Sequence, residues 1–343
     1  METRNISRRN FLGKTAATTT LSLGGIGLVK EAFAGQGADK PRREVWIASF
    51  SQAGMSAPTP ESMTGQILEK LKEVLVYRPD FVCLPEAFPF ESVEKRFTLT
   101  EMVKISDEIQ GQIAAFSREN KCYTVCPLYT SVDGKFYNSA IVFDREGKEA
   151  GRYNKIHETE GGINKGVTPG ALYQPAIQTE FGPVGVQICF DMRWDDGWKM
   201  LKEQGTKIIF WPSAFSGGDL VNTRAWQNHC IVVSSPNKYI ARLCGISGET
   251  IASTGIWNSN VFCAPVNMEK AFLHTWPYVR RFKEIEKKYG RAVRITNFHE
   301  EEFSIIESLS PDIYVKDILE EFDIKTFDEH IGSADQAQKK ARL

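Results

Sequence analysis

Glu86, Lys155 and Cys189 are the residues of this chain whose types and settings could do chemistry together. Each closes a strand-like run and precedes a loop. Phe81-Val82-Cys83-Leu84-Pro85 leads to Glu86, Arg152-Tyr153-Asn154 leads to Lys155, and Val184-Gly185-Val186-Gln187-Ile188 leads to Cys189. A carboxylate can take the thiol proton, because the thiolate is the nucleophile. An ammonium favours that thiolate and can stabilise a developing oxyanion. The sulfur then forms a covalent acyl intermediate, splitting one difficult step into two easier ones. Taken singly, the three have plain structural explanations: a packed thiol, a solvated loop carboxylate and a surface charge.

The elements that must bring them together alternate in type. Glu44 to Phe50 reads as a buried strand and Pro60 to Val76 as a helix, with Met63, Ile67 and Leu71 at three-to-four spacing. Phe81 to Glu86 is a second strand, Leu99 to Asn120 a second helix and Tyr123 to Tyr129 a third strand. Asp133-Gly134 and Glu146-Gly147 mark hairpin turns on either side of Tyr137 to Phe143. A glycine-rich loop spans Gly161 to Gly170, and a strand follows from Gly185 to Cys189. Helix-like Trp194 to Glu203 and Asn222 to Asn228 alternate with strands Lys207 to Pro212 and Cys230 to Ser234. From about Val266 the chain is more charged and reads as more helical. Alternation of this kind predicts an α/β class, and the hairpins exclude a purely parallel sheet.

The bulk numbers allow one large domain. The chain has 343 residues, 42% hydrophobic and 25% charged, as in ordinary soluble globular proteins. A formal net charge of -1 gives no basic balance toward nucleic acid or an anionic membrane surface. The seven cysteines are an odd number, so full pairing within one chain is impossible. Most sit in apolar runs that suit buried thiols. The five histidines fit no zinc spacing, so no metal site is expected. His229 could serve a papain-like thiol enzyme, but no local signature supports that.

LPEAF, YNKIH and VGVQICFDMRW, in that order, resemble the three signature stretches of the nitrilase superfamily of carbon–nitrogen hydrolases. The resemblance runs from about Val45 to about Phe262 and weakens to about Glu320. It includes the strand and hydroxyl-rich follow-up Ile209 to Phe215. It implies a four-layer α-β-β-α sandwich of two mixed sheets, and assembly as a homodimer or larger homo-oligomer. It also implies Glu86 as general base, Lys155 as stabiliser of the tetrahedral intermediate and Cys189 as nucleophile. The Phe190 N–H becomes a second oxyanion donor, and no metal or organic cofactor is required. A second family glutamate falls on Glu160, with Glu158 as the alternative. Phe190-Asp191-Met192-Arg193 after the cysteine looks like the amide and carbamoyl branches rather than true nitrilases. The expected activity is therefore hydrolysis of a linear carboxamide or N-carbamoyl compound, with release of ammonia. Nitrile hydrolysis, acyl transfer and a non-catalytic binding role stay open. Arg193, Trp194 and Ser213 are candidate pocket residues. Arg193 could meet a substrate carboxylate or pair with Asp191 or Asp195. Trp211, Phe215 and Trp226 could line an apolar pocket or belong to the core.

The N-terminus reads as an address. Arg8-Arg9, the weakly apolar stretch Thr15 to Val29 and Ala32-Phe33-Ala34 have the order of a twin-arginine export signal. The middle is too short and too rich in Thr, Ser and Gly for a membrane span, which needs about 20 mostly apolar residues. The expected organisation is a signal over 1–34, a linker over 35–43, a catalytic domain over 44–320 and a tail over 321–343. The expected partner is the twin-arginine machinery, and the destination is the periplasm or beyond.

Overall fold

The computed structural model describes residues 44–255 and 260–343. The export signal and linker lie outside the described residues. The first sheet begins with β1 (Glu44–Phe50), β2 (Phe81–Cys83), β3 (Tyr123–Val132), β4 (Lys135–Phe143) and β5 (Glu149–Asn154). The second contains β6 (Ile177–Thr179), β7 (Gly182–Val186), β8 (Ile208–Ser213), β9 (Ile231–Pro236), β10 (Arg242–Cys244) and β11 (Thr250–Ser253). β12 (Val261–Asn267) then returns to the free edge of the first. The orders are β12-β1-β2-β3-β4-β5 and β11-β10-β9-β8-β7-β6. In each sheet three central strands run parallel and the flanking strands antiparallel.

The helices supply the crossovers that parallel neighbours require. α1 (Pro60–Leu71) joins β1 to β2, and α2 (Leu99–Asn120) joins β2 to β3. α3 (Glu160–Asn164) is a single short turn before β6. α4 (Asp196–Glu203) joins β7 to β8, and α5 (Asp219–Asn228) joins β8 to β9. Thr98 and Glu101 form a reciprocal capping box that starts α2. The buried stripe Ser106, Ile109, Ile113 and Phe116 then turns one face of α2 inward. Burying each of its isoleucines contributes about 2 kcal/mol.

These elements form the four expected layers. Alternation along β1 sends Val45 and Ile47 toward the second sheet, and Ala48 and Phe50 toward α1 and α2. Trp198 and Leu201 of α4, with Val221 and Ala225 of α5, join the core on the other side. The sheets are also tied by polar groups. Ser235 Oγ donates to Phe50 O at 2.7 Å and to Cys83 O at 3.0 Å, next to the loop that carries Glu86.

The region after Val266 holds more strand than its charge suggests. β13 (Lys270–His274), β14 (Val293–Phe298) and β15 (Phe303–Ser308) form a third sheet of order β13-β15-β14. α6 (Val279–Tyr289) and α7 (Val315–Glu321) cover one face through Leu273, Phe282, Ile285, Ile306 and Ile318. β14 alternates a buried Val293 with an exposed Arg294, and its outward polar residues disguise the period of two. Residues 321–343 continue into α8 (Phe327–Ala341), whose Phe327 joins the small aromatic core on the opposite face.

Candidate active site

Glu86 stands three residues beyond β2, in a loop anchored by Asn237 Nδ2 donating to Glu86 O at 3.0 Å. Its side chain is buried and accepts three hydrogen bonds. Oε1 accepts from Asn138 Nδ2 at 2.7 Å and from Lys155 Nζ at 2.9 Å, and Oε2 accepts from the Ala214 N–H at 2.8 Å. Lys155 is the residue after β5 and is 3% exposed. Its N–H donates to Asn138 O at 2.9 Å, and its carbonyl accepts from the Gly170 N–H at 2.7 Å.

Cys189 opens a 3-10 turn, Cys189–Arg193, rather than closing a strand. β7 ends at Val186, and the backbone bends through Gln187 and Ile188. Cys189 has φ of 47°, a left-handed conformation that costs a non-glycine residue on the order of 1–3 kcal/mol. Such strain persists only where the surroundings over-determine it. Asp191, fully buried, accepts from the Ile188 N–H at 2.8 Å, the Tyr153 hydroxyl at 2.7 Å and the His157 N–H at 2.8 Å. Trp211 Nε1 donates to the Cys189 carbonyl at 3.1 Å. Phe190 is the second residue of the turn, among the leading N–H groups that a helical turn leaves without an internal acceptor.

Burial dominates the electrostatics. It pushes the Cys189 thiol up to about 12, and neighbouring Glu86 pushes the same way, while Lys155 and the Ala214 N–H oppose them. The resting nucleophile is thus a thiol, not the thiolate that Lys155 alone would favour. Its proton needs an acceptor at the moment of attack, and Glu86 lines the same cavity beside it. Burial alone would lower Lys155; the charge of Glu86 and its hydrogen bond reverse this and hold it cationic. Burial lifts Glu158 to about 7 against the pull of Lys155.

Of the two candidates for the second glutamate, Glu158 rather than Glu160 lies in the cavity. Glu160 is exposed at the start of α3. Glu158 is the one beside Lys155, its Oε2 3.8 Å from Nζ and its side chain 4% exposed. Between the two the chain leaves extended conformation and enters α3. Thr159 then caps α3 and directs Glu160 outward.

Glu86, Lys155, Glu158 and Cys189 line one cavity of about 730 Å³, with Asn138, Tyr129 and Ala214. Its lining also includes Phe90, Phe97, Leu99 and Met102, and the cations Lys95, Arg96 and Lys165. Other expected pocket residues fall outside this lining. Arg193 lies over the Phe215 ring at 5.6 Å and makes no ion pair among the described residues. Asp195 is taken by Arg224, and Asp191 by the turn itself. Trp194 stacks on His157 with ring centroids 4.4 Å apart. Ser213 is buried and accepts from the Phe215 N–H at 3.0 Å. Trp211 is core, and Trp226 packs on Phe303. His229 interacts with Asp328 of α8, and the cavity lining does not include it.

Asn138, Tyr153, Asp191 and Asn237 are the supporting residues that sequence reasoning missed. A buried polar residue inside an otherwise apolar strand, as at Asn138, is the signal that could have found the first. All seven cysteines are free thiols, and only Cys189 lines this cavity. Among the described residues, no group of three or more His, Cys, Asp or Glu could hold a metal ion.

Two six-stranded mixed sheets between helical layers, with a buried Glu–Lys–Cys set where strands of both sheets end, place the chain in the α-β-β-α sandwich class. The chain belongs to the carbon–nitrogen hydrolase family, whose model matches residues 47–271. It is similar to the deaminated glutathione amidase of Mus musculus, 28% identical over 199 residues, 50% of this chain and 58% of that protein. The match thus spans little more than half the length of that relative. Two solved structures share the fold. Nit3 of Saccharomyces cerevisiae, a member of branch 10 of the nitrilase superfamily, aligns with a TM-score of 0.57 at 19% identity, covering 72% of this chain and 95% of its own. A mutant amidase from Nesterenkonia sp., with the acetamide moiety of fluoroacetamide added covalently at its active-site cysteine, aligns with a TM-score of 0.58 at 14% identity, covering 73% and 98%.

Proposed function

We propose that this protein is a cysteine amidohydrolase that cleaves a linear carboxamide or N-carbamoyl compound and releases ammonia. The observation that carries this reading is the buried contact set around Glu86, which joins Lys155 directly and meets the Cys189 thiol at the floor of a solvent-reaching cavity. As Sγ attacks the carbonyl carbon, its proton passes to Glu86. The carbonyl electron pair moves to oxygen, where Lys155 Nζ and the Phe190 N–H meet the developing charge. Collapse of the adduct expels the amine, which takes the proton back from Glu86, and a thioester remains. Water, activated by Glu86 with Glu158 beside Lys155, then releases the acid and the free thiol.

Export by the twin-arginine route, periplasmic residence and homo-oligomeric assembly belong to the same proposal. Their support is the N-terminal sequence and the family resemblance. Replacing Arg8 and Arg9 by lysine should leave the precursor in the cytoplasm; unchanged delivery of a processed form removes the export reading. For the reaction, ammonia release should be measured over a panel of amides, carbamoyl compounds and nitriles. Turnover of amides or carbamoyl compounds that vanishes in Glu86→Gln with the fold intact supports the proposal. Activity on nitriles alone, or a fully active Glu86→Gln, overturns it.

A further inference from the structure

We infer that Asn138 is a positioning residue that fixes which oxygen of Glu86 takes the Cys189 proton, an inference that rests on the amidohydrolase reading above. A carboxylate offers about four lone-pair positions, two on each oxygen. Oε1 of Glu86 already accepts two donors, Asn138 Nδ2 at 2.7 Å and Lys155 Nζ at 2.9 Å. Oε2 accepts one, the Ala214 N–H at 2.8 Å. The open lone pair is therefore on Oε2, and that oxygen is the proton acceptor. In the step, the S–H bond breaks, the proton bonds to Oε2, and the sulfur electron pair forms the bond to the carbonyl carbon.

Asn138 does this from a rigid place. It is 3% exposed in β4, paired in register with Tyr129 of β3. Its carbonyl accepts from the Lys155 N–H at 2.9 Å, so one residue holds the lysine by its backbone and the glutamate by its side chain. The two catalytic groups come from different loops, after β2 and after β5, and Asn138 sets their relative position. Without its Nδ2, Oε1 has a vacant lone pair. The carboxylate can then rotate between two orientations, only one of which meets the thiol. The other amide atom, Oδ1, is buried and has no hydrogen-bond partner among the described residues.

The test uses the full chain with Asn138→Asp and Asn138→Leu, and Glu86→Gln as reference. The readouts are the pH profile of kcat/KM and the pH dependence of Cys189 alkylation by iodoacetamide. Asn138→Asp is nearly isosteric and sets a second carboxylate against Oε1. Two carboxylates in contact resist ionising together. The acid limb of both profiles should move up by about one pH unit or more. Asn138→Leu should lower kcat about 10–100-fold, within the range of impaired acid–base catalysis, with KM changed less than about threefold. If Asn138→Leu does not fold, Asn138→Asp alone decides. Both profiles unchanged in Asn138→Asp, with only thermal stability lowered, would reduce Asn138 to a structural residue and overturn the inference. An inactive Glu86→Gln beside such an Asn138→Asp sinks this inference alone. A fully active Glu86→Gln sinks it together with the mechanism above.

Discussion

Lys155 and Glu158 face each other across 3.8 Å inside the cavity, each with less than a twentieth of its side chain exposed. The contact is too long for a strong hydrogen bond, so burial prevails over attraction and lifts the glutamate to about 7. An acid raised in this way is held protonated by the fold. Over the window from its ordinary value of 4.5 to about 7, the folded chain binds more protons than the unfolded one, and stability falls as pH rises. Glu158→Gln removes this dependence. Urea midpoints measured from pH 5 to 8 should show the variant gaining on the parent as pH rises, by up to about 3 kcal/mol. Its kcat should fall about 10–100-fold, because an amide beside Lys155 cannot give up or take a proton as the carboxyl can. A stability difference that stays constant with pH would place the titration elsewhere.

Gly170 controls Lys155 from behind. A Cβ added there would stand 2.2 Å from the carbonyl oxygen of Asn154 and 2.8 Å from its carbon. Both are backbone atoms, so no side chain can swing aside. Gly170→Ala must push apart the loop and the end of β5, breaking the 2.7 Å bond from the Gly170 N–H to the Lys155 carbonyl. A shift of even ~1 Å at a catalytic group can cost on the order of 100-fold. Expected is a drop of that size in kcat, with Tm lowered. Gly111→Ala, in α2 with nothing within 4 Å of the added Cβ, serves as the comparison. Equal activity of the two variants would show that the β5 end tolerates displacement.

The alternation of strand and helix made the central architecture readable, because β1, α2 and the α4–β8–α5–β9 run carry clean periods. The three chemical residues were readable because each follows such a run. Their support was not. Asn138 meets Glu86 across 52 positions of sequence, and Asp191 meets Tyr153 across 38. No local period encodes such meetings. Glu160 was preferred to Glu158 because spacing in a loop says nothing about which way a side chain turns. Burial settles that, and burial is a property of the folded chain. The third sheet escaped notice for a related reason, since the outward face of β14 carries Arg294 and Thr296 among its apolar residues.

Asp191 holds the turn that presents the nucleophile. It accepts two backbone N–H groups on either side of the catalytic region, Ile188 and His157, and the Tyr153 hydroxyl. His157 Nδ1 also lies 3.2 Å from it, and Nε2 lies 3.2 Å from Asp196 Oδ2. Asp191→Ala leaves these buried donors without acceptors. Each costs about 1–3 kcal/mol when stranded, so a loss of roughly 3–5 kcal/mol is expected in denaturant titrations. Asp191→Asn keeps the shape and should cost less, while still lowering kcat by loosening the left-handed backbone at Cys189. A silent Asp191→Ala would mean that Trp211 and the neighbouring strands hold the turn alone.

Cys189 should behave unlike the other six thiols for a reason of place, not of acidity. Burial pushes Cys122 up to about 11, and Cys230, Cys244 and Cys263 up to about 12, the same value as Cys189. Resting acidity therefore cannot distinguish them. Cys189 alone borders the cavity and has a carboxylate beside it to take its proton. Cys263 is the most exposed of the seven, but it lies in β12 outside the cavity lining, and burial raises it without a neighbouring cation to oppose. A limiting dose of iodoacetamide should label Cys189 first and remove activity in proportion, and Glu86→Gln should slow that labelling while leaving the rate at Cys263 unchanged. Rapid quenching with a slowly turned-over amide should place an acyl adduct on the peptide containing Cys189, visible by mass spectrometry, and Cys189→Ala should show neither adduct nor ammonia. Labelling that went first to Cys263 while activity fell, or an active Cys189→Ala, would show that the sulfur at the head of this turn is not the nucleophile.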